Sequence, residues 1–275
     1  MVRNLLRAGH EVAVFARRPA AMAEAVAAGA VACGSPAQAA AGADAVITMV
    51  TAGPDVEAVA LGAGGVIEGA AAGAVLIDMS TIPPRTVRRV AARLAERGVH
   101  MLDAPVSGGV PGARAGSLAI MVGGEAAVLE RMRPLLAALG RTIVHIGPQG
   151  AGQVAKACNQ MIMVSAIEAV AEALRLANAH GLDAAAVVAA LAGGSAGSRV
   201  LELFGAKMAR RDFAPLVEAR LHHKDFGIVL DEAHGLGAPL PVAAQVWQQL
   251  NSLMAQGWHQ QDTGSLLRVL EAAGR

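Results

Sequence analysis

The sequence predicts an α/β protein, a doubly wound sheet followed by an all-α domain that opens on a long helix. Three features carry this reading. Short apolar runs alternate with helical patterns through the first half, an order that lays helices on both faces of a parallel sheet. After Gly152 the strand pattern stops. From Gln153 to His180 the chain runs without a proline or glycine, which suits one long helix ending at Gly181.

The elements follow in order. Val2 to Ala8 has the pattern of the back half of a helix, and Gly9-His10 of its exit. Residues 12–15, 45–50, 75–78, 101–103, 118–122 and 143–146 are apolar runs of strand length. Residues 85–97 place Val87, Val90, Ala91 and Leu94 at helical spacing. The α/β domain is expected over residues 1–149 and the helical domain over 150–275.

Composition excludes several classes. The chain has 275 residues, enough for two domains with proper cores, and a net charge of +1 without a basic cluster. Neither nucleic acid nor a membrane surface is an expected partner. No apolar run reaches the length of a bilayer span, and the N-terminus carries no signal-peptide core. Cys33 and Cys158 lie far apart, so they make neither a disulfide framework nor a metal set, and a reducing cytoplasm fits. The absence of tyrosine excludes a short-chain dehydrogenase, which needs one as proton donor.

Lysine is nearly absent: Lys156, Lys207 and Lys224 are the three in the chain, against 20 arginines. Arginine cannot release its proton near neutral pH, whereas a buried lysine can. A retained lysine is therefore a candidate for proton transfer. Lys156 lies in Gly150-Ala151-Gly152-Gln153-Val154-Ala155-Lys156-Ala157-Cys158-Asn159-Gln160, where Asn159, three residues on, shares its helix face. This helix is expected to line the interdomain cleft, with Lys156 donating a proton to a reacting carbonyl and Asn159 orienting it. A cation so near a helix N-terminus opposes the dipole, and a bound anionic substrate would compensate.

Two further stretches stand out. Asp103-Ala104-Pro105-Val106-Ser107-Gly108-Gly109 follows an expected strand, where ligands sit in such sheets. Ser107, Gly108 and Gly109 offer unobstructed donors to a carboxylate; the bland reading is an ordinary glycine-rich loop. Leu221-His222-His223-Lys224-Asp225-Phe226 reads first as a polar helix face. Thr81, closing a strand, either touches a cofactor or caps the next helix.

A dinucleotide-binding sheet begins with a strand, a Gly-x-Gly-x-x-Gly turn and a helix. The first strand and that turn are missing here, a piece of about 15–20 residues by the size of such elements. Either the true start lies upstream, which is the reading taken, or the chain is a genuine truncation. At the tip of the second expected strand, Phe15-Ala16-Arg17-Arg18-Pro19 has two arginines and no acid. Arg17 and Arg18 there favour NADP over NAD, because arginine accommodates a 2′-phosphate.

Together these motifs resemble the β-hydroxyacid dehydrogenase family, along the chain from Asn4 to about Leu270. The resemblance implies a Rossmann-like first domain and a nicotinamide cofactor. It makes Lys156 the catalytic lysine with Asn159 as partner, and Ser107, Gly108 and Gly109 the substrate-carboxylate site. Val50, Thr51, Thr81, Lys224 and Asp225 match cofactor-lining positions. It further implies interconversion of a small 3-hydroxy acid and its semialdehyde, in a homo-oligomer, with no metal. The stretches 193–198 and 234–241 liken the chain to the branch that reduces tartronate semialdehyde, with a 3-hydroxyisobutyrate-like substrate as the other choice. Cys158 stands where the decarboxylating sister enzymes usually carry histidine, and retained Lys156 argues against an imine reductase. A truncated, catalytically impaired assembly module is the alternative from a different class.

Overall fold

The computed structural model describes residues 1–273; Gly274 and Arg275, the end of the expected 150–275 domain, lie outside the described residues. The chain divides into two compact units, Met1–Lys156 and Ala157–Arg275.

The first unit carries eight strands: β1 (Ala13–Val14), β2 (Val31–Ala32), β3 (Ala45–Thr48), β4 (Val75–Asp78), β5 (His100–Asp103), β6 (Val106–Ser107), β7 (Leu118–Gly123) and β8 (Gly140–Gly147). The main sheet runs β3-β4-β5-β7-β6, with β8 also paired to β7. Strands β3, β4 and β5 are parallel and in register, Thr48 opposite Asp78 and Asp78 opposite Asp103. The fully parallel sheet expected from the alternation fails at β7, which runs against both β5 and β6. Between β5 and β7 lie only β6 and the seven-residue helix Gly109–Ala115. That is too little for the crossover helix that returns a chain parallel. Strands β1 and β2 form their own parallel pair and share no ladder with β3 among the described residues.

Each face of the main sheet packs on helices because alternate strand residues point to opposite sides. Val75, Ile77, Leu102, Ile120 and Val122 meet Leu129, Met132 and Leu136 of helix Ala126–Ala137 on one side. Leu76 and Met101 meet Val56, Val87, Val90 and Leu94 of helices Gly53–Leu61 and Pro84–Ala95 on the other. All four residues of β4 are buried, as a central strand of a covered sheet requires.

The long helix spans Ala151–Ala179. It ends as expected at Gly181, whose φ of +71° takes the left-handed conformation that closes helices, while Leu182 N donates to Ala177 O at 3.0 Å. In the second unit its residues Val164, Ile167, Ala171 and Leu174 pack with Phe226, Leu250, Leu253 and Leu266 from the later helices Ala219–Leu236, Pro241–Ala255 and Leu266–Ala273. The one strand-like feature described there is an isolated bridge between Glu218 and Asp262. Among the described residues no helix is long and apolar enough to cross a membrane.

Candidate active site

In the first unit, the start of the long helix is fastened to the carboxyl end of β5. Asp103 is fully buried; its Oδ1 accepts from Gly150 N at 2.8 Å and its Oδ2 from Gln153 N at 2.9 Å. These are first-turn N–H groups that have no acceptor within the helix. Gln153 then ties the helix to the segment after β4, with Ile82 N donating to its Oε1 at 3.1 Å and its Nε2 donating to Ser80 O at 2.8 Å. A Cβ on Gly152 would stand 2.6 Å from Asp103 O, so this glycine lets the helix sit directly on sheet backbone. Burial raises the Asp103 carboxyl from 3.8 to about 6; the Gly150 and Gln153 N–H groups oppose the rise and neighbouring Asp78 adds to it.

Lys156 lies one turn beyond Gln153 and is only 7% exposed. The sequence singled it out by scarcity, and the structure refines what scarcity marks. Lys207, which matched no motif, is also buried, and its Nζ pairs with Asp212 at 2.7 Å. Withdrawal from solvent is thus common to both lysines, and Lys156 is the one whose helix is fastened at its start to the residue that opens a ligand-type loop.

That loop begins at Asp103 itself. Ser107 ends β6 and is partly buried, while Gly108 and Gly109 are exposed. Gly108 has φ +133° and Gly109 φ +59°, and a Cβ on Gly108 would meet Leu118 Cδ2 at 3.2 Å. Two consecutive positive φ values explain the paired glycines without appeal to a ligand. They also turn the chain into helix Gly109–Ala115, whose first N–H groups lack intrahelical acceptors.

The other expected cofactor residues sit at the carboxyl ends of strands. Arg17 and Arg18 follow β1 and are exposed, with Arg17 paired to Asp55 at 3.1 Å. Val50 and Thr51 follow β3, and Val50 N donates to Ser80 Oγ at 2.9 Å. Beneath them Thr48 Oγ1 donates to Asp78 Oδ1 at 2.8 Å, locking the ends of β3 and β4 together. Thr81 follows β4, three residues ahead of helix Pro84–Ala95, whose N-cap residue Pro83 offers no side-chain bond of its own.

In the second unit, the polar helix face expected for 222–226 is overturned: His222, Asp225 and Phe226 are buried. His222 Nδ1 lies 2.7 Å from Thr263 Oγ1, and His223 stacks on Trp247 with ring centroids 4.2 Å apart. Lys224 Nζ pairs with Asp225 Oδ1 at 2.9 Å. Asp225 Oδ2 accepts from Gln160 Nε2 at 2.6 Å, and Gln160 Oε1 accepts from Asn159 Nδ2 at 2.9 Å. Asn159, Lys224 and Asp225, named separately from the sequence, therefore belong to one connected set.

Sequence reading missed Asp103 as a cap and both glutamines as connectors. A signal was present. Gln153, Lys156 and Gln160 continue the buried stripe of Val164, Ile167, Ala171 and Leu174 at three- and four-residue spacing. Polar side chains on a core stripe must find partners inside.

The comparisons with known proteins bear on this geometry. Residues 1–147 match the family described as the NAD binding domain of 6-phosphogluconate dehydrogenase. Residues 150–270 match the NAD-binding domain of NADP-dependent 3-hydroxyisobutyrate dehydrogenase. The chain is 41% identical to 2-hydroxy-3-oxopropionate reductase of Escherichia coli over 98% of its own length and 92% of the relative's. It is 42% identical to 3-hydroxyisobutyrate dehydrogenase of Pseudomonas aeruginosa over 93% of its length and 88% of the relative's. Its fold superposes on Mycobacterium tuberculosis 3-hydroxyisobutyrate dehydrogenase, solved with L-serine, at a TM-score of 0.89 and 34% identity, covering 98% of this chain and 94% of that one. None of these findings supports the impaired assembly module. The chain belongs to the β-hydroxyacid dehydrogenase family and is an NAD(P)-dependent dehydrogenase of hydroxy acids.

Proposed function

We propose that the chain interconverts a small 3-hydroxy acid and its semialdehyde, with tartronate semialdehyde or a 3-hydroxyisobutyrate-like compound as substrate, and that Lys156 moves the proton. One observation carries this: Lys156 is buried on a helix whose first turn is capped by Asp103, the residue that opens the Ser107-Gly108-Gly109 segment. Names of relatives support the substrate class, since 2-hydroxy-3-oxopropionate and 3-hydroxyisobutyrate each pair a carboxylate with an oxygen on the β-carbon.

A nicotinamide dinucleotide fits the residues present, because Arg17, Arg18, Val50, Thr51 and Thr81 all follow the carboxyl ends of parallel strands. When bound it supplies hydride to the carbonyl carbon or takes it from the carbinol carbon. The protein does the rest. Ser107 Oγ and the N–H groups of Gly108 and Gly109 donate to the substrate carboxylate and fix its orientation. The Lys156 ammonium donates its proton to the carbonyl oxygen as negative charge develops there; in the reverse direction the neutral amine accepts the hydroxyl proton. Asn159 orients that lysine. Lys224 and Asp225 complete the cofactor-lining set. The arginines favour NADP, with their guanidinium groups donating to a 2′-phosphate.

A homo-oligomer in a reducing cytoplasm is part of this reading. Ile162 and Leu176, 68% and 63% exposed on the long helix, support self-association, and free Cys33 and Cys158 support the compartment. The test is a panel of small 3-hydroxy acids and semialdehydes assayed with NADPH and NADH. Turnover confined to members with a free carboxylate, faster with NADPH, is the expected outcome. Equal turnover of their methyl esters would remove the Ser107 site from the account.

A further inference from the structure

We infer that Gln160 is a positioning residue for the proposed proton transfer. It transmits the polarity of the Asp225 carboxylate to Asn159, so that Asn159 presents an acceptor oxygen on the helix face it shares with Lys156. The inference rests on the reading of Lys156 as proton donor and adds a residue that sequence motifs did not single out.

Hydrogen-bond direction fixes how each amide is turned. Electron-rich amide oxygens and nitrogens look alike in outline, so an amide's orientation follows from its network. Here the network has a fixed end. A carboxylate carries only lone pairs, so Asp225 Oδ2 accepts, and Gln160 must turn its Nε2 toward it, as the 2.6 Å contact shows. Lys224 Nζ, 2.9 Å from Oδ1, adds a cation on the other side of that carboxylate. With its NH₂ turned to Asp225, Gln160 presents Oε1 on the opposite side, and this accepts from Asn159 Nδ2 at 2.9 Å. Asn159 Nδ2 is thereby turned toward Gln160, and Oδ1 is the end of the amide that faces away toward other partners.

Direction matters because an ammonium has three donors and no acceptor. An Asn159 turned the other way would oppose NH₂ to NH₃⁺. Gln160 is 3% exposed and Asp225 6% exposed, so water does not compete for the chain, and reversal would leave two buried groups mismatched. Asn159 alone does not define its own orientation; the carboxylate two links away does.

The test uses the full chain and Gln160→Met, which keeps length and volume but breaks both links. Two readouts are taken: steady-state kinetics on the best substrate, and the Asn159 side-chain amide signals in ¹⁵N-correlated NMR spectra. The expected result is a fall in kcat of roughly fivefold or more, the order that one lost buried hydrogen bond gives. KM for the hydroxy acid should stay within about twofold and the Asn159 amide signals should shift, while the melting temperature falls by the few degrees that a buried carboxylate oxygen left without its partner costs. A smaller fall in kcat, a loss shared with KM, or unmoved Asn159 signals overturns the inference. If the unmodified protein turns over no hydroxy acid, the catalytic reading fails by itself, and the amide signals still decide whether Gln160 sets Asn159. Should Gln160→Met fail to fold, Asp225→Asn replaces it in the NMR arm. There the fixed end is lost, and both the Gln160 and Asn159 amide signals are expected to move; unmoved signals overturn the inference.

Discussion

The two ends of the Lys156–Asn159 segment are held in different ways. Upstream, a buried carboxylate accepts directly from backbone N–H groups, and Gln153 adds two bonds to backbone of the segment after β4. Downstream, side chains alone form the Asn159–Gln160–Asp225 chain. The first arrangement fixes where the helix begins and so is bound up with folding. The second fixes which atom an amide presents, and the helix persists without it. The difference predicts that upstream changes cost the more stability, along with turnover, whereas downstream changes fall mainly on turnover.

The largest effect belongs to the residue between them. Lys156→Ala is expected to lower kcat/KM by about 10²–10⁴-fold, the usual loss of a general acid, with the melting curve nearly unchanged. Asp103→Ala comes next. It orphans the N–H groups of Gly150 and Gln153, each costing about 1–3 kcal/mol when buried without a partner, so urea unfolding should show a loss of stability alongside weakened turnover. Unchanged stability would erase the contrast between the two ends. Ser107→Ala removes one charge-assisted donor and should raise substrate KM by about tenfold while leaving the unfolding midpoint in place.

The smallest effect concerns pH. Glu168 is buried on the long helix, and burial, then Glu172, raises its carboxyl from 4.5 to about 7. The native state therefore holds this proton more tightly than the unfolded chain, and the group subtracts stability as pH climbs from about 4.5 to 7. Asp103 acts in the same sense between 3.8 and about 6. Glu168→Gln should raise Tm at pH 8 by several degrees, because the buried charge is gone, and leave Tm at pH 4 nearly unchanged.

Much of the fold was legible because its signals are long. The 29-residue helix Ala151–Ala179 and the apolar run of β4 exceed what chance patterning produces. Strands β2 and β6, two residues each, are too short for periodicity to register. The reversal at β7 depends on a short connection and not on composition. Among the candidate residues, Lys156 stood out because arginine replaces lysine almost everywhere else. Gln153 and Gln160 did not, since an amide in a helix is unremarkable until its face is known to be buried. The histidine-lysine-aspartate stretch misled in the opposite direction: His222 and Asp225 are turned inward, toward Thr263 and Gln160, where composition alone assigned them to solvent.

The central claim is that Lys156 contributes a proton and not merely a positive charge. Lys156→Arg separates the two, since a guanidinium keeps the charge and holds its proton near neutral pH. Assayed on the best hydroxy acid at saturating cofactor, this variant is predicted to lose turnover as deeply as Lys156→Ala. Arginine supporting turnover close to that of the unaltered protein would contradict the account.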